Sequence, residues 1–214
     1  MDERTTGLIL RTRPLTETSL IVQWLTPDLG RVATVAKGAR RPKSPFRGKL
    51  DLFYVGEFSF ARSRKSELHN LREVVLGDTH GTLRENLGWL QQASYLTALV
   101  EQTTETETPL PKVYQLVRDT LALLCAAPPT PRTVLAFEFK LLEELGLSPD
   151  VADSSLSAGS RHLAQTLTHG DWSLIGRLKL SEAQERELRQ FLHGFMIYDL
   201  ECSPPSRTAA LNAE

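Results

Sequence analysis

Residues 30–49 read GRVATVAKGARRPKSPFRGK, and the change of character halfway along this stretch decides how the rest of the chain is read. Its first part alternates as a strand does, with Val32 and Thr34 followed by Val35 and Ala36. It then dissolves into a loop carrying Lys37, Arg40, Arg41, Lys43, Arg47 and Lys49, and no acidic residue stands between Asp28 and Asp51. Gly38 and Gly48 let the backbone turn, while Pro42 and Pro45 have no N–H to give to a sheet. A flexible or semi-extended loop with this many cations is a poor structural element and a good polyanion contact. Nucleic-acid backbone is the first polyanion to consider.

Working outward, four further stretches have strand character. Residues 6–12 (TGLILRT) alternate until Arg13-Pro14, and 18–25 (TSLIVQWL) form a second run closed by the turn at Pro27-Asp28-Leu29-Gly30. Beyond the basic loop, 51–60 (DLFYVGEFSF) is rich in aromatic and β-branched residues, and Gly56 in its middle suggests a bulge or sharp bend. Arg62, Arg64 and Lys65 mark a short basic turn before a fifth strand at 67–76. Five short strands in under eighty residues predict a small antiparallel barrel of the oligonucleotide-binding (OB) type, with an SH3-like barrel fitting the pattern almost as well.

After Gly77-Asp78 the period changes to that of helices. Leu83, Leu87, Leu90, Ser94 and Ala98 share one face of a helix over 82–102, which the polar segment TTETETP at 103–109 breaks. Helices follow over 110–126 and over 132–145, the second stopped by Gly146. Residues 148–160 read as loop and 161–178 as fragmentary, ahead of a last helix at 181–200 with Ser181 as its N-cap. The fold class is α+β in two domains: a five-stranded OB-fold barrel over 1–78, then an all-α helical bundle over 79–202. The tail 203–214, with Pro204, Pro205 and an alanine-rich ending, is expected to be disordered.

The charge balance supports this division. A net charge of −1 over 214 residues conceals 14 Lys and Arg against 7 Asp and Glu in residues 1–72, and 11 against 19 in the remainder. A basic first third joined to an acidic remainder suggests two domains with different partners. Two cysteines, Cys125 and Cys202, make neither a disulfide framework nor a four-thiolate zinc site. The opening MDERTTG lacks a signal-peptide run, and no stretch has the roughly 20 apolar residues a bilayer span needs. The cytoplasm, with no membrane partner, is the expected location.

The stretches LRTRPLTETSLIVQWLT and GRV…AKGARR, with the small basic-aromatic loop behind them, resemble the start of the bacterial recombination mediator family RecO. The match is strong over residues 7–60 and topological beyond about 80. It implies an OB-fold that binds single- and double-stranded DNA, promotes annealing, and works with RecR and the C-terminal tail of single-stranded DNA-binding protein (SSB) in recombination and repair. The family's basic loop corresponds to Lys37, Gly38, Ala39, Arg40 and Arg41. Many relatives also carry four zinc-binding cysteines after a helix ending in L-G-L; here that place reads SPDVADSSLSAGSRHLAQ, without a cysteine. His162, His169 and Asp171 nearby are a weak substitute, so the zinc module is expected to be absent.

The DNA-binding candidates are therefore Lys37, Arg40, Arg41, Lys43, Arg47 and Lys49, with Phe46 offered for base stacking and Arg11, Arg13, Arg62, Arg64 and Lys65 extending the track. Tyr54, Phe58, Phe60 and Trp24 are read as barrel filling. Arg118, Arg132 or Lys140 is a candidate partner for the carboxylate of a bound peptide tail. Catalysis is not expected: Glu143, Glu144, Asp150 and Asp153 are splayed or on a loop, the histidines are dispersed, and no phosphate-cradling glycine motif occurs. The other readings are an adaptor whose barrel binds an acidic protein, and an RNA-binding module.

Overall fold

A computed structural model of the chain describes residues 2–202 and 206–213. Strands β1 (Asp2–Pro14), β2 (Leu20–Thr26), β3 (Gly30–Ala36), β4 (Val55–Ala61) and β5 (Leu68–Leu76) close into a barrel in the order β1-β2-β3-β5-β4. Neighbours are antiparallel except β3 and β5, which run parallel where Ala33–Val35 meet Leu68–Asn70. The length of β1 makes closure possible: its first half pairs with β4 and its second with β2, so that Leu8 faces both Val55 and Leu25. This is the OB type of barrel, and the SH3-like alternative is not what forms.

The alternating residues fill the barrel as their period requires. Ile9, Val22, Trp24, Val32, Phe58, Phe60, Leu71 and Val74 are buried together. Trp24 stacks on Phe58 with ring centroids 4.1 Å apart, and its indole N–H donates to Thr34 Oγ1 at 2.8 Å, so the one polar atom of the ring is satisfied inside the core. Gly56 does not mark a bulge. It faces Gly7 across the ladder, and a Cβ on it would lie 2.7 Å from the Val75 carbonyl oxygen. The register slips instead between Ile9 and Arg11 on β1 and between Ser59 and Phe60 on β4.

The chain divides into two compact units, one of Met1–Gly81 with Thr104–Gln115, the other of Thr82–Thr103 with Leu116–Glu214. The polar segment after residue 103 thus does more than break a helix. Strand β5 begins opposite Ala33 and leaves the start of β3 without a partner on that side. Segment 104–107 supplies one: the Glu107 N–H donates to the Arg31 carbonyl at 2.9 Å, Thr106 bridges Arg31, and Arg31 Nε donates to Thr104 Oγ1 at 2.9 Å.

The second unit is helical, following a short 3-10 turn at Gly81–Arg84. Its helices are α1 (Leu87–Thr103), α2 (Pro111–Ala126, crossing the division between units), α3 (Pro131–Glu144), α4 (Ala158–His169), α5 (Trp172–Arg177), α6 (Glu182–Tyr198) and α7 (Arg207–Leu211). Helix α3 is the central one, with Val134, Leu135, Ala136, Phe137, Phe139, Leu141 and Leu142 all buried, as befits a helix covered on most sides. Thr130 caps it and Pro131 opens it. The region expected to be fragmentary resolves into α4, capped by Ser157, and α5, capped by Asp171, with Gly170 between them. Ser181 and Gln184 form a reciprocal capping box on α6.

The tail departs from expectation. Ser203, Pro204, Pro205 and Glu214 lie outside the described residues, but from Ser206 the chain forms α7 rather than a disordered end. Its anchor is Arg207, which forms a two-pronged ion pair with the fully buried Glu138 of α3, at 2.7 Å (Nε to Oε1) and 2.8 Å (Nη2 to Oε2). The Tyr95 hydroxyl donates to the same Oε1, and Gln92 Nε2 donates to the Ala210 carbonyl at 3.0 Å. Among the described residues no helix is long and apolar enough to cross a membrane.

Candidate nucleic-acid interface

The basic loop leaves β3 at Ala36 and is built from successive tight turns rather than extended chain. Backbone N–H groups of Ala39, Arg41, Ser44, Arg47 and Lys49 each donate to the carbonyl three residues earlier, at 3.0–3.3 Å. Gly38 and Gly48, at φ +69° and +71°, sit where the path demands the left-handed region. The reason for the compact form is Phe46. It was expected to stand out from the loop and stack a base, but it is only 7 % exposed and packs into the barrel core, so the loop folds around it. No aromatic face is left there for stacking.

With Phe46 turned inward, the cations turn outward. Lys37, Arg40, Arg41, Lys43 and Arg47 are exposed. The Arg40 N–H donates to the Thr18 carbonyl at 3.0 Å and Arg40 Nη1 to the Thr16 carbonyl at 3.2 Å, tying the loop to the β1–β2 connection. Arg47 Nη1 reaches the Pro42 carbonyl at 3.4 Å across the loop. Lys37, Arg41 and Lys43 have no side-chain partner among the described residues. Lys49 is half-buried, its Nζ donating to the Val74 carbonyl at 3.0 Å, so it fastens the loop to β5. Beneath the arginines lies a hollow of about 400 Å³.

The cations of the extended track lie on two elements, and one of them is held in ion pairs. Arg11 and Arg13 are exposed on β1, and Arg64 and Lys65 on the β4–β5 turn. Arg62 is committed: it donates to both oxygens of Glu3, at 2.7 and 3.0 Å, and to Glu107 Oε1 at 2.5 Å. Glu107 also meets the buried His69, whose Nδ1 accepts from the Ser63 N–H at 3.2 Å, leaving Nε2 to donate to Glu107 Oε1 at 2.7 Å. The hydrogen bond from Arg62 holds Glu3 below the usual carboxylate range, and that from His69, reinforced by Arg62, does the same for Glu107. These side chains fix the 104–107 segment and the β4–β5 turn. Nothing in the patterning of the sequence announced them, because the pairings of Arg62 with Glu3 and of Glu107 with Arg62 and His69 are long-range.

In the helical unit, Arg132 and Lys140 are held by backbone carbonyls. Arg132 donates to Leu178, and Lys140 Nζ donates to Thr168 and Gly170 at 3.0 and 2.6 Å, closing the C-terminal end of α4. Burial pulls the Lys140 ammonium below its ordinary value, with Asp171 and Glu144 acting the other way. The carboxylates near them are equally local: Glu143 accepts from Ser148, and Asp150 Oδ1 from the N–H groups of Ala152 and Asp153 at 2.9 and 3.2 Å. Asp171 caps α5. Among the described residues no three His, Cys, Asp or Glu side chains stand close enough to hold a metal.

Comparison with known proteins points to a single family. Residues 1–80 match the family model described as Recombination protein O N terminal, and residues 84–157 the one described as Recombination protein O C terminal. A DNA repair protein RecO of Rhodopirellula baltica is 30 % identical over 170 residues, covering 79 % of this chain and 62 % of the relative. That of Alkaliphilus metalliredigens is 32 % identical over 157 residues, covering 73 % and 63 %. That of Exiguobacterium sibiricum is 26 % identical over 205 residues, covering 93 % and 81 %. The first two matches thus span a little over three-fifths of the relatives' length.

Proposed function

The chain belongs to the RecO family, and from that premise we propose that it is a non-catalytic DNA-binding mediator of recombinational repair, acting in the cytoplasm. The observation that carries the reading is the basic loop. Five exposed cations, Lys37, Arg40, Arg41, Lys43 and Arg47, stand on a frame of backbone turns, in a stretch without a single acid between Asp28 and Asp51. Placed against two complementary strands, such a surface neutralises phosphates on both and lowers the repulsion that keeps them apart. Binding of single- and double-stranded DNA and promotion of strand annealing follow from that physics without any bond-making group. The acidic helical unit then serves protein contacts with RecR and the SSB tail, and the molecule works without a zinc module.

The test is an annealing reaction between complementary fluorophore- and quencher-labelled strands coated with SSB. Wild-type protein should accelerate quenching, and a variant neutralised at Lys37, Arg40 and Arg41 should lose most of the acceleration while keeping its fold. Equal acceleration by both proteins would remove the loop from the reading. An RNA strand bound as tightly as DNA in the same buffer would favour an RNA-binding role instead.

A further inference from the structure

The hollow under the basic loop is more than a gap between turns. Its floor is apolar, made by Leu20, Ala39 and Leu50, which are only partly covered, and by the edge of the buried Phe46. Its rim is cationic, made by Arg40, Arg41 and Arg47. At about 400 Å³ it lies within the range of about 300–1,000 Å³ that small-ligand pockets occupy. Two of the rim guanidinium groups are already oriented, Arg40 by the Thr16 carbonyl and Arg47 by the Pro42 carbonyl, so little ordering remains to be done on binding.

We propose that this hollow takes one unstacked nucleobase of a DNA single strand, with Arg40, Arg41 and Arg47 at its rim meeting the base edge and the flanking phosphates. The inference rests on the reading of the loop as a DNA contact and goes beyond it, because phosphate contacts alone are indifferent to the base. A flat, largely apolar group bearing an anion on each side is what an apolar floor with a cationic rim selects. In a duplex every base is paired and stacked, so the hollow stays empty there and adds affinity for single strands alone. It also replaces the stacking that the inward turn of Phe46 removes from the loop surface.

The experiment is a fluorescence-anisotropy comparison of a labelled oligothymidylate, an oligomer of the same length and charge with abasic sites throughout, and a duplex of equal length. The intact oligothymidylate should bind wild type at least about fivefold more tightly than the abasic oligomer. Ala39→Trp, which fills the hollow from its floor, should erase that difference in a protein whose circular dichroism spectrum and thermal melt match those of wild type. Equal affinity of wild type for the intact and abasic strands overturns the inference, whatever the variant does. So does an Ala39→Trp protein that still distinguishes them. An acidic, aromatic-bearing peptide that binds wild type and is lost in Ala39→Trp, with both oligomers bound equally, would reassign the hollow to a protein ligand. If neutralising Lys37, Arg40 and Arg41 leaves binding of all three oligomers untouched, the underlying reading of the loop fails, and that outcome is distinct from failure of the hollow alone.

Discussion

Arg207→Ala is the most revealing single change in the helical unit. The guanidinium is held against Glu138, a carboxylate with no exposed surface, by two hydrogen bonds of 2.7 and 2.8 Å. Burial pulls the Arg207 pKa down, and Glu138 more than offsets this, holding it above its ordinary value. Removing one member of a buried pair leaves the other charge without compensation, which costs about 3–5 kcal/mol. The Tyr95 hydroxyl remains on Glu138, but it is not a cation. The variant should therefore lose about 3–5 kcal/mol in urea-induced unfolding of the helical unit followed by far-UV circular dichroism. Replacing both partners together, Glu138→Leu with Arg207→Met, should recover most of the loss, because an apolar pair of similar volume fits an apolar surrounding. A loss below about 1 kcal/mol for Arg207→Ala, the size of an exposed pair, would refute the docking of α7 on α3.

Other perturbations follow from the same reasoning. Thr34→Val leaves the buried Trp24 indole N–H without its acceptor and should cost about 1–3 kcal/mol, read from the tryptophan fluorescence transition in denaturant. Glu107→Gln weakens the contacts to His69 and Arg62. Because the Glu107 side chain is 40 % exposed and solvent screens it, the loss should be only about 1 kcal/mol. Glu3 and Glu107 have lowered folded-state pKa values, so their contribution is present above the ordinary carboxylate value of about 4.3 and is lost as pH falls through the lowered ones. Thermal melts of wild type against the Glu3→Gln, Glu107→Gln double variant should accordingly converge on acidification from neutrality. Lys140→Met uncovers the Thr168 and Gly170 carbonyls and should cost about 1–3 kcal/mol, with early hydrogen exchange over α4 and α5 as its local signature.

Much of this architecture was legible in the sequence, for reasons that individual residues make plain. The barrel strands announce themselves because one face is buried and a period of two is enforced along each, as with Val32 and Thr34 or Phe58 and Phe60. The α6 start is visible because Ser181 is a local N-cap signal, to which the structure adds the reciprocal bond from Gln184. The cations of the basic loop were readable as a cluster, since charge is a property of composition. What escaped was tertiary. Phe46 lies among six cations in sequence yet belongs to the core, and only the barrel end it covers explains why. Helix α7 is five residues long and has no period to detect; it is held by Glu138, 69 residues away. Arg62 looked like one more phosphate contact until Glu3 and Glu107, distant in sequence, appeared on either side of it.

The account stands or falls on the charge of the basic loop. The measurement that addresses it is the binding constant for a labelled DNA single strand, taken by fluorescence anisotropy across a series of salt concentrations. Lys37, Arg40, Arg41, Lys43 and Arg47 engaging one phosphate each predict a slope of log K against log salt of about −3.5, from about 0.7 per contact. Neutralising Lys37, Arg40 and Arg41 should flatten it to about −1.4 and weaken binding steeply at low salt. A wild-type slope near zero, or a slope unchanged by those three substitutions in a folded protein, would contradict the central claim and leave the barrel as a contact for an acidic protein.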